Sequence, residues 1–164
     1  MERREAFTFK TPTSLMIAGP SDCGKTVFTK RLLLDNPDLF RTPTNAIRYC
    51  YGSWQHGFEL MKQCGVQFHE GVPDRGLLPK WFPEGSILIL DDLMNEGGSD
   101  KNVLDLFTKD SHHQKITVIY LCQDLFPKLF QEMPITSSLL RTHVINRGCE
   151  IYYNNRSPPS LEKY

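Results

Sequence analysis

The segment between Gly19 and Thr26 constrains this chain more than any other part of its sequence. It reads GPSDCGKT, follows the apolar run SLMIA and precedes KTVFTKRLLL, whose pattern predicts a helix that ends near Asp35. Glycines allow the backbone to approach a ligand closely, and the N–H groups at a helix start favour anions. The order of strand, glycine-containing loop and helix therefore predicts a phosphate-binding loop. The alternative is a glycine-containing turn that matches by chance.

Two residues of this loop are expected to do more than supply backbone. Lys25 is predicted to bridge the β- and γ-phosphates of a nucleotide, and the Thr26 hydroxyl is predicted to ligate Mg²⁺. Cys23 is expected to contribute its backbone; a reactive thiol is the alternative, because Lys25 and a helix N-terminus lie beside it. The predicted nucleotide-binding residues are Gly19, Pro20, Ser21, Asp22, Cys23, Gly24, Lys25 and Thr26.

An acidic pair closes a second apolar run, SILILDD. A continuous apolar run is typical of a strand covered on both faces, and ligands of open α/β sheets bind at the carboxyl ends of the strands. Asp91 is therefore expected to hold Mg²⁺ through water. Asp92 is the candidate catalytic base, or the residue that orients the attacking water. The alternative role is structural, since acids at strand ends also cap the helix that follows.

A third apolar run, TVIYLC, is followed directly by the polar residue Gln123. In the additional-strand class of P-loop ATPases, such a strand lies between the two strands that carry the phosphate loop and the acidic pair. Its polar end then lies beside the γ-phosphate and acts as a catalytic sensor. An ordinary polar exit from a strand is the alternative. No N-K-x-D element for guanine recognition follows the acidic strand, so the sequence favours ATP over GTP.

Strand-like runs alternate with helical segments, and this order predicts an α/β fold. We expect a three-layer P-loop sandwich around a central, mostly parallel sheet, in the additional-strand, RecA-like class. At 164 residues the chain is expected to be one ATPase domain over 1–154 with a polar tail over 155–164. The glycines and prolines of Gly71–Gly85 predict a loop. The remaining predicted strands are Ala46–Tyr51, Val66–His69, His143–Ile145 and Glu150–Tyr153, and the remaining predicted helices are Phe58–Cys64, Asn102–Lys109 and Leu125–Glu132.

The charge balance limits how the chain can meet nucleic acid. Nineteen basic residues offset nineteen acidic ones, so contact with nucleic acid requires a local patch or several subunits that present loops together. The longest apolar runs are too short to span a bilayer, and no secretory signal is recognised, so we expect no membrane partner and a location in the nucleus or cytoplasm. The five cysteines contain no CxxC pair, and four lie in or beside apolar runs, which predicts buried thiols in a reducing compartment.

The segment Lys109–Lys115, KDSHHQK, is a candidate DNA-contacting loop. It joins the helix predicted after the acidic pair to the strand that ends at Gln123, and a solvated turn without a partner is the alternative. His112 and His113 do not predict a zinc site, because adjacent residues do not face one point and no cysteine pair lies nearby.

Taken together, these residues resemble the FtsK–HerA superfamily. The chain is most similar to the poxvirus-type genome-packaging ATPases of large DNA viruses and of Polinton (Maverick) or adintovirus-like elements. The stretches that carry the resemblance span most of residues 14–156. They are SLMIAGPSDCGKTVFTKRLL, IRYCYGSWQ, VQFHEGVPD, LILDDLMNEGGSDKNVLDLFTKDSHHQKITVIYLCQDLF and, more loosely, YYNNRSP.

The resemblance implies an ATPase that assembles as a homo-oligomeric ring and moves double-stranded DNA into a capsid, with ATP and Mg²⁺ as cofactors and capsid proteins as further partners. It assigns Lys25 and Thr26 to nucleotide and Mg²⁺, Asp91 and Asp92 to the acidic motif, and Gln123 to the sensor. Many superfamily members carry Glu at the position of Asp92. Rings of this kind complete each site with an arginine from the neighbouring subunit, and the candidates after the sensor strand are Arg141, Arg147 and Arg156.

Two other functions are compatible with the phosphate loop. A viral replication helicase that acts on single-stranded nucleic acid shares a GPxxxGK[ST] loop but usually has Asn, not Gln, at the end of the sensor strand. A scaffold that holds nucleotide and hydrolyses almost none is the other alternative. The presence of Lys25, Asp91, Asp92 and Gln123 argues against it.

Overall fold

The computed structural model of the chain describes residues 13–35, 46–81, 85–93, 115–123, 140–146 and 149–154. The strands are β1 (Ser14–Ala18), β2 (Ile47–Tyr51), β3 (Gln67–Glu70), β4 (Ile87–Asp91), β5 (Thr117–Cys122), β6 (Leu140–Asn146) and β7 (Cys149–Asn154). The α-helices are α1 (Lys25–Lys30), α2 (Phe58–Gln63) and α3 (Leu78–Trp81), and two further segments are π-helical (Arg31–Asp35) and 3₁₀-helical (Arg75–Leu77). The predicted helices Asn102–Lys109 and Leu125–Glu132 lie outside the described residues.

The described strands form one seven-stranded sheet in the order β3-β2-β4-β5-β1-β7-β6. Each neighbouring pair from β3 to β1 is parallel, whereas β7 is antiparallel to β1 and β6 is antiparallel to β7. The predicted α/β fold with a mostly parallel sheet is therefore confirmed. The two antiparallel strands belong together as a hairpin-like pair at one side of the parallel part.

The parallel part of the sheet is buried on both faces. Every residue of β4 and β5 is buried, which is the reason that both strands read as continuous apolar runs. Successive side chains of a strand point to opposite faces, so alternate residues enter two separate apolar clusters. One cluster contains Ile89 and Ile119 and packs against α2 and the helical residues after α1; the other contains Leu88 and Val118 and packs against α3.

The helix predicted after the phosphate loop is found, but it has two parts. Regular α-helix extends from Lys25 to Lys30, and the chain then continues as a wider π-helix to Asp35. Leu32 and Leu33 in the π-helical part are buried in the cluster that contains Ile89. The apolar pattern thus predicted a buried helical face correctly. Periodicity alone did not distinguish the α-helical part from the π-helical part.

The predicted loop Gly71–Gly85 is wrong in part. Its middle forms a 3₁₀ turn and the short helix α3, because Leu78 is fully buried and Trp81 packs beside the same cluster. Pro79 is compatible with this helix, since proline is tolerated in a first turn. The glycines and prolines of this segment predicted a loop, so the single turn of helix was missed. No helix among the described residues is long and apolar enough to cross a membrane.

Candidate active site

The predicted site residues meet at one edge of the sheet, where β1, β4 and β5 end side by side. Strand β5 lies between β4 and β1, with Ala18 opposite Cys122 and Asp91 opposite Leu121. Two backbone hydrogen bonds extend this alignment beyond the strands. The Gly19 N–H donates to the Cys122 carbonyl, and the Asp92 N–H donates to the Leu121 carbonyl, both at 3.1 Å. The phosphate-loop sequence, the acidic pair and Gln123 therefore leave the sheet from the same edge.

The backbone of the GPSDCGKT segment has the tight form that a phosphate-binding loop requires. The Cys23 N–H donates to the Pro20 carbonyl at 3.3 Å, and Asp22 and Gly24 have positive φ angles of 61° and 96°. Glycine adopts the second of these angles without strain because it has no Cβ. The Phe28 N–H then donates to the Gly24 carbonyl at 2.8 Å as the helix begins. The loop thus turns directly into α1.

Lys25 folds back over the start of the loop. Its Nζ lies 2.6 Å from the Gly19 carbonyl oxygen and 2.9 Å from the Pro20 carbonyl oxygen. The ammonium group is therefore tethered above the loop rather than extended into solvent. Its positive charge also favours the ionised form of Asp91 and so opposes the rise in the pKa of that carboxyl group. The predicted phosphate-binding cation and the predicted metal-binding acid are thus electrostatically coupled.

Thr26, the predicted magnesium ligand, contacts a residue that the sequence had not singled out. Its hydroxyl donates to the Gln55 side-chain oxygen at 3.2 Å. Gln55 belongs to the loop that follows β2. The first turn of α1 is therefore joined to the loop after β2, on the far side of β4 from β1.

Asp91 is a buried carboxyl group with one well-defined partner. Its side chain is only 7% exposed, and the Tyr49 hydroxyl donates to Asp91 Oδ2 at 2.7 Å. Burial raises the pKa of Asp91, the hydrogen bond from Tyr49 opposes that rise, and the nearby charge of Asp92 adds to it. A hydrogen bond to a charged group contributes about 1.5 to 3 kcal/mol. The hydrogen bond from Tyr49 is thus the largest influence that favours the ionised form of Asp91, ahead of the Lys25 charge.

Tyr49 itself is fully buried and is held by aromatic packing. Its ring centroid lies 4.8 Å from that of Phe58 and 5.2 Å from that of Phe68. Burial strongly raises the pKa of Tyr49, and the neighbouring Asp91 charge raises it further. The phenol is consequently neutral and acts as a hydrogen-bond donor to the carboxylate.

Asp92 and Gln123 are brought together as the sequence pattern suggested. The Gln123 side-chain amide donates to Asp92 Oδ2 at 3.1 Å, and both side chains are more exposed than Asp91. Asp92 has a positive φ of 51°, so the backbone turns sharply at the end of β4. This turn separates the two acids: one is buried against Tyr49, and the other faces the end of β5.

The oxygen atoms at this edge fit a magnesium ion that is bound together with substrate phosphates. No group of three or more His, Cys, Asp or Glu side chains among the described residues could hold a metal by itself. Mg²⁺ usually keeps several waters and uses one or two protein oxygens plus phosphate oxygens. Thr26 and Asp91 would be the protein oxygens, since the loop after β1 and the end of β4 lie at the same edge of the sheet.

The prediction of buried thiols is correct for Cys50 and Cys122 and wrong for Cys64. Cys50 and Cys122 are buried and Cys23 is partly buried, packed against the core, whereas Cys64 is exposed. Cys64 directly follows the last residue of α2. Its side chain is exposed even though apolar residues lie near it in the sequence. The packing of the Cys23 side chain agrees with a backbone role in the loop.

Other candidate residues lie away from this edge or outside the described residues. Lys115 is exposed and precedes β5, so it lies at the opposite edge of the sheet, about 20 Å from the site at 3.3 Å per strand residue. A nucleotide bound at the site would therefore not contact Lys115. Arg141 lies in β6, the outermost strand. The remaining candidates Lys109, His112, His113, Arg147 and Arg156 lie outside the described residues.

Comparison of the chain with protein-family models, with curated proteins and with solved structures finds no match. The case for a function therefore depends on the site itself.

Sequence reasoning missed Tyr49 and Gln55. Both lie in the stretch IRYCYGSWQ, which contributed to the family resemblance without any role for its polar residues. The sequence did contain a signal for Tyr49. A tyrosine in a strand that is expected to be buried needs a hydrogen-bond partner for its hydroxyl. The partner could not be named without knowing that β2 is the neighbour of β4.

Proposed function

We propose that this chain is a magnesium-dependent P-loop ATPase of the additional-strand, RecA-like class, with a three-layer sandwich fold, that translocates double-stranded DNA into capsids. The observation that carries the proposal is the strand order. Strand β5 separates β1 from β4, and the lysine-bearing loop, the acidic pair and Gln123 all follow the carboxyl ends of these three strands. This is the order that the resemblance to packaging ATPases implies.

In this proposal the GPSDCGKT loop and the start of α1 bind the phosphates of ATP. Lys25, now tethered to the Gly19 and Pro20 carbonyls, exchanges these partners for β- and γ-phosphate oxygens. Thr26 and Asp91 would hold the magnesium ion, with the Asp91 carboxylate acting through a bound water. When bound, the ion neutralises charge that develops on the transferred phosphoryl group.

Hydrolysis requires a water molecule aligned with the γ-phosphorus. Asp92 orients this water and accepts its proton, while the Gln123 amide holds the Asp92 carboxylate through the 3.1 Å hydrogen bond. The water oxygen forms a bond to the γ-phosphorus, and the bond between that phosphorus and the bridging oxygen of ADP breaks. The products are ADP and inorganic phosphate. The hydrogen bond between Asp92 and Gln123 supports this division of roles, in which Asp91 serves the metal and Asp92 serves the water.

The DNA part of the proposal depends on assembly. A chain with zero formal net charge has no global attraction for a polyanion, and nonspecific DNA affinity comes from Lys and Arg that neutralise phosphates. In a homo-oligomeric ring, the same basic loop from every subunit would point at one duplex, so weak contacts would add through effective concentration. A neighbouring arginine, with Arg141, Arg147 and Arg156 as candidates, would complete each site. Capsid proteins are the further partners, and the nucleus or cytoplasm is the proposed location.

Phosphate release measured with and without DNA, beside the native mass of the protein, tests this proposal. We expect magnesium-dependent ATPase activity that blunt duplex DNA stimulates, together with a ring-sized assembly. Stimulation by forked or single-stranded DNA instead of duplex would favour a replication helicase. Nucleotide binding without phosphate release under any of these conditions would favour a scaffold and contradict the ATPase assignment.

A further inference from the structure

We infer that Tyr49 is a positioning residue of the proposed magnesium site, because its buried hydroxyl donates a 2.7 Å hydrogen bond to the Asp91 carboxylate. The inference rests on the proposed ATPase function and adds a residue to the same site. Tyr49 is not expected to touch the metal or the nucleotide. Its role is to fix the Asp91 side chain, which is proposed to hold the metal.

The position of Tyr49 in the sheet explains how its side chain reaches Asp91. Strands β2 and β4 are parallel neighbours, with Tyr49 opposite Ile89. Asp91 lies two residues after Ile89, so its side chain is on the same face of the sheet as the Tyr49 ring. The long phenol therefore extends along the sheet toward the edge where the Asp91 carboxylate lies. A shorter side chain at this position would not reach that edge.

Hydrogen-bond geometry gives the phenol a defined orientation. A tyrosine hydroxyl carries one proton and can also accept. Its proton is donated to Asp91 Oδ2 at 2.7 Å. This bond restrains rotation of the buried carboxylate and leaves its other oxygen as the one suited to bind water on a metal.

The ring is held in place independently of these hydrogen bonds. It packs against Phe58 and Phe68, and the side chain has no exposed surface. An anchor that the protein core fixes is well suited to hold ligand side chains before the metal arrives. Loss of residues that orient metal ligands typically reduces metal affinity or activity by about 10- to 100-fold. The same size of effect is expected here.

Tyr49→Phe tests the inference because it removes the hydroxyl and preserves the packed ring. The measurement is ATPase activity as a function of Mg²⁺ concentration at saturating ATP. We expect the Mg²⁺ concentration that gives half-maximal activity to rise about 10- to 100-fold. Binding of a fluorescent ATP analogue in EDTA should be unchanged, because the phosphate loop is not altered.

Tyr51→Phe is the matched control. It makes the same change two residues along β2, in the same aromatic cluster, at a tyrosine whose described contacts are with the rings of Trp54, Phe58 and Phe68. Its Mg²⁺ requirement should equal that of the wild type. A double variant with Asp91→Asn adds a second readout: if Tyr49 acts through Asp91, Tyr49→Phe should have little further effect in the Asp91→Asn background.

The outcomes separate this inference from the proposed function. A wild-type protein without magnesium-dependent ATPase activity would overturn both. An active wild type with the same Mg²⁺ requirement in Tyr49→Phe and Tyr51→Phe would overturn the inference alone. Thermal unfolding of each variant, followed by circular dichroism in EDTA, distinguishes loss of fold from loss of positioning. If Tyr49→Phe is unfolded at the assay temperature, the same Mg²⁺ titrations are made at a lower temperature at which it is folded, and a wild-type Mg²⁺ requirement there would reject the inference.

Discussion

The side-chain amide of Gln123 donates a hydrogen bond to Asp92 Oδ2 at 3.1 Å, across the ends of two adjacent strands. Gln123 follows β5 and Asp92 follows β4, and the two residues are 31 positions apart in the chain. The contact joins the exposed polar residue at the end of β5 to the residue that follows β4.

The first prediction concerns this pair. Gln123→Leu should lower kcat of ATP hydrolysis about 10- to 100-fold with little change in KM, because a hydrogen bond to a charged group contributes about 1.5 to 3 kcal/mol. Steady-state phosphate release checks this. Gln63→Leu, at an exposed glutamine of α2, is the matched control and should behave as wild type. Equal kcat values in Gln123→Leu and Gln63→Leu would show that Gln123 has no role in hydrolysis.

The second prediction concerns the lysine of the phosphate loop. Lys25→Ala should abolish ATP turnover and leave the fold intact, because Lys25 contacts loop carbonyls and not the apolar core. Removing one preorganised donor to developing charge costs about 10²- to 10³-fold in kcat. Lys30→Ala, in the last turn of the same helix, is the control. Turnover by Lys25→Ala within a factor of about three of wild type would disprove the phosphate-loop assignment, since this loss is much smaller than that expected.

The third prediction separates the roles of the two acids. Asp92→Asn should bind MgATP normally but lose hydrolysis, because an amide cannot accept the proton of the attacking water. Asparagine tolerates the positive φ at this position about as well as aspartate, so the backbone should not change. Asp91→Asn should instead weaken magnesium-dependent binding of ATP. Titration of labelled ATP with and without Mg²⁺ compares the variants, and an equal loss of affinity in both would contradict the division.

The fourth prediction concerns DNA. Replacing Lys109 and Lys115 by Ala should lower duplex-stimulated ATPase activity and flatten its salt dependence, because lost phosphate contacts release fewer counterions. Basal activity should stay unchanged, since Lys115 lies at the sheet edge opposite the site. The control is the double change of Lys62 and Lys80 to Ala, which removes the same charge from exposed helical positions. Full stimulation by duplex in the Lys109 and Lys115 variant would mean that DNA is bound elsewhere.

The fifth prediction concerns the thiols. Burial raises the pKa of Cys50 to about 12, so this thiol remains protonated at pH 8, and the thiolate is the species that reacts with alkylating agents. Iodoacetamide at pH 8 should therefore modify the exposed Cys64 and spare Cys50 and Cys122 in the folded protein. Peptide mass spectrometry gives the extent at each site, and denaturant provides the positive control. Native-state modification of Cys50 as fast as that of Cys64 would contradict the burial.

The local sequence pattern predicted which residues lie at the ends of buried strands and so at the candidate site. The runs before Gly19, Asp91 and Gln123 are mostly apolar because their strands are covered on both faces. The position of β5 between β1 and β4 does not follow from the pattern of these runs; it was expected by analogy with the additional-strand class. The helix α3 was missed because a single turn is too short for periodicity to be read against nearby prolines and glycines.

The contact between Tyr49 and Asp91 could not be predicted in this way. It joins residues 42 positions apart and depends on the register of β2 against β4. A hydrophobic pattern specifies which face of a strand is buried, but it does not specify which neighbour a buried hydroxyl will meet. The same limit applies to Thr26 and Gln55, since the loop after β2 has no periodic signal that would direct it toward α1.

The left-handed turn at Asp92 bears on the residue type found there. Glutamate at this position would reach one methylene further than aspartate. At a φ of 51°, however, aspartate and asparagine are much better tolerated than most other side chains. A change to glutamate would thus gain reach at the expense of backbone strain, on the order of 1 to 3 kcal/mol for a residue in such a conformation. In this chain the shorter acid suits both constraints: the carboxylate meets Gln123, and the backbone can turn.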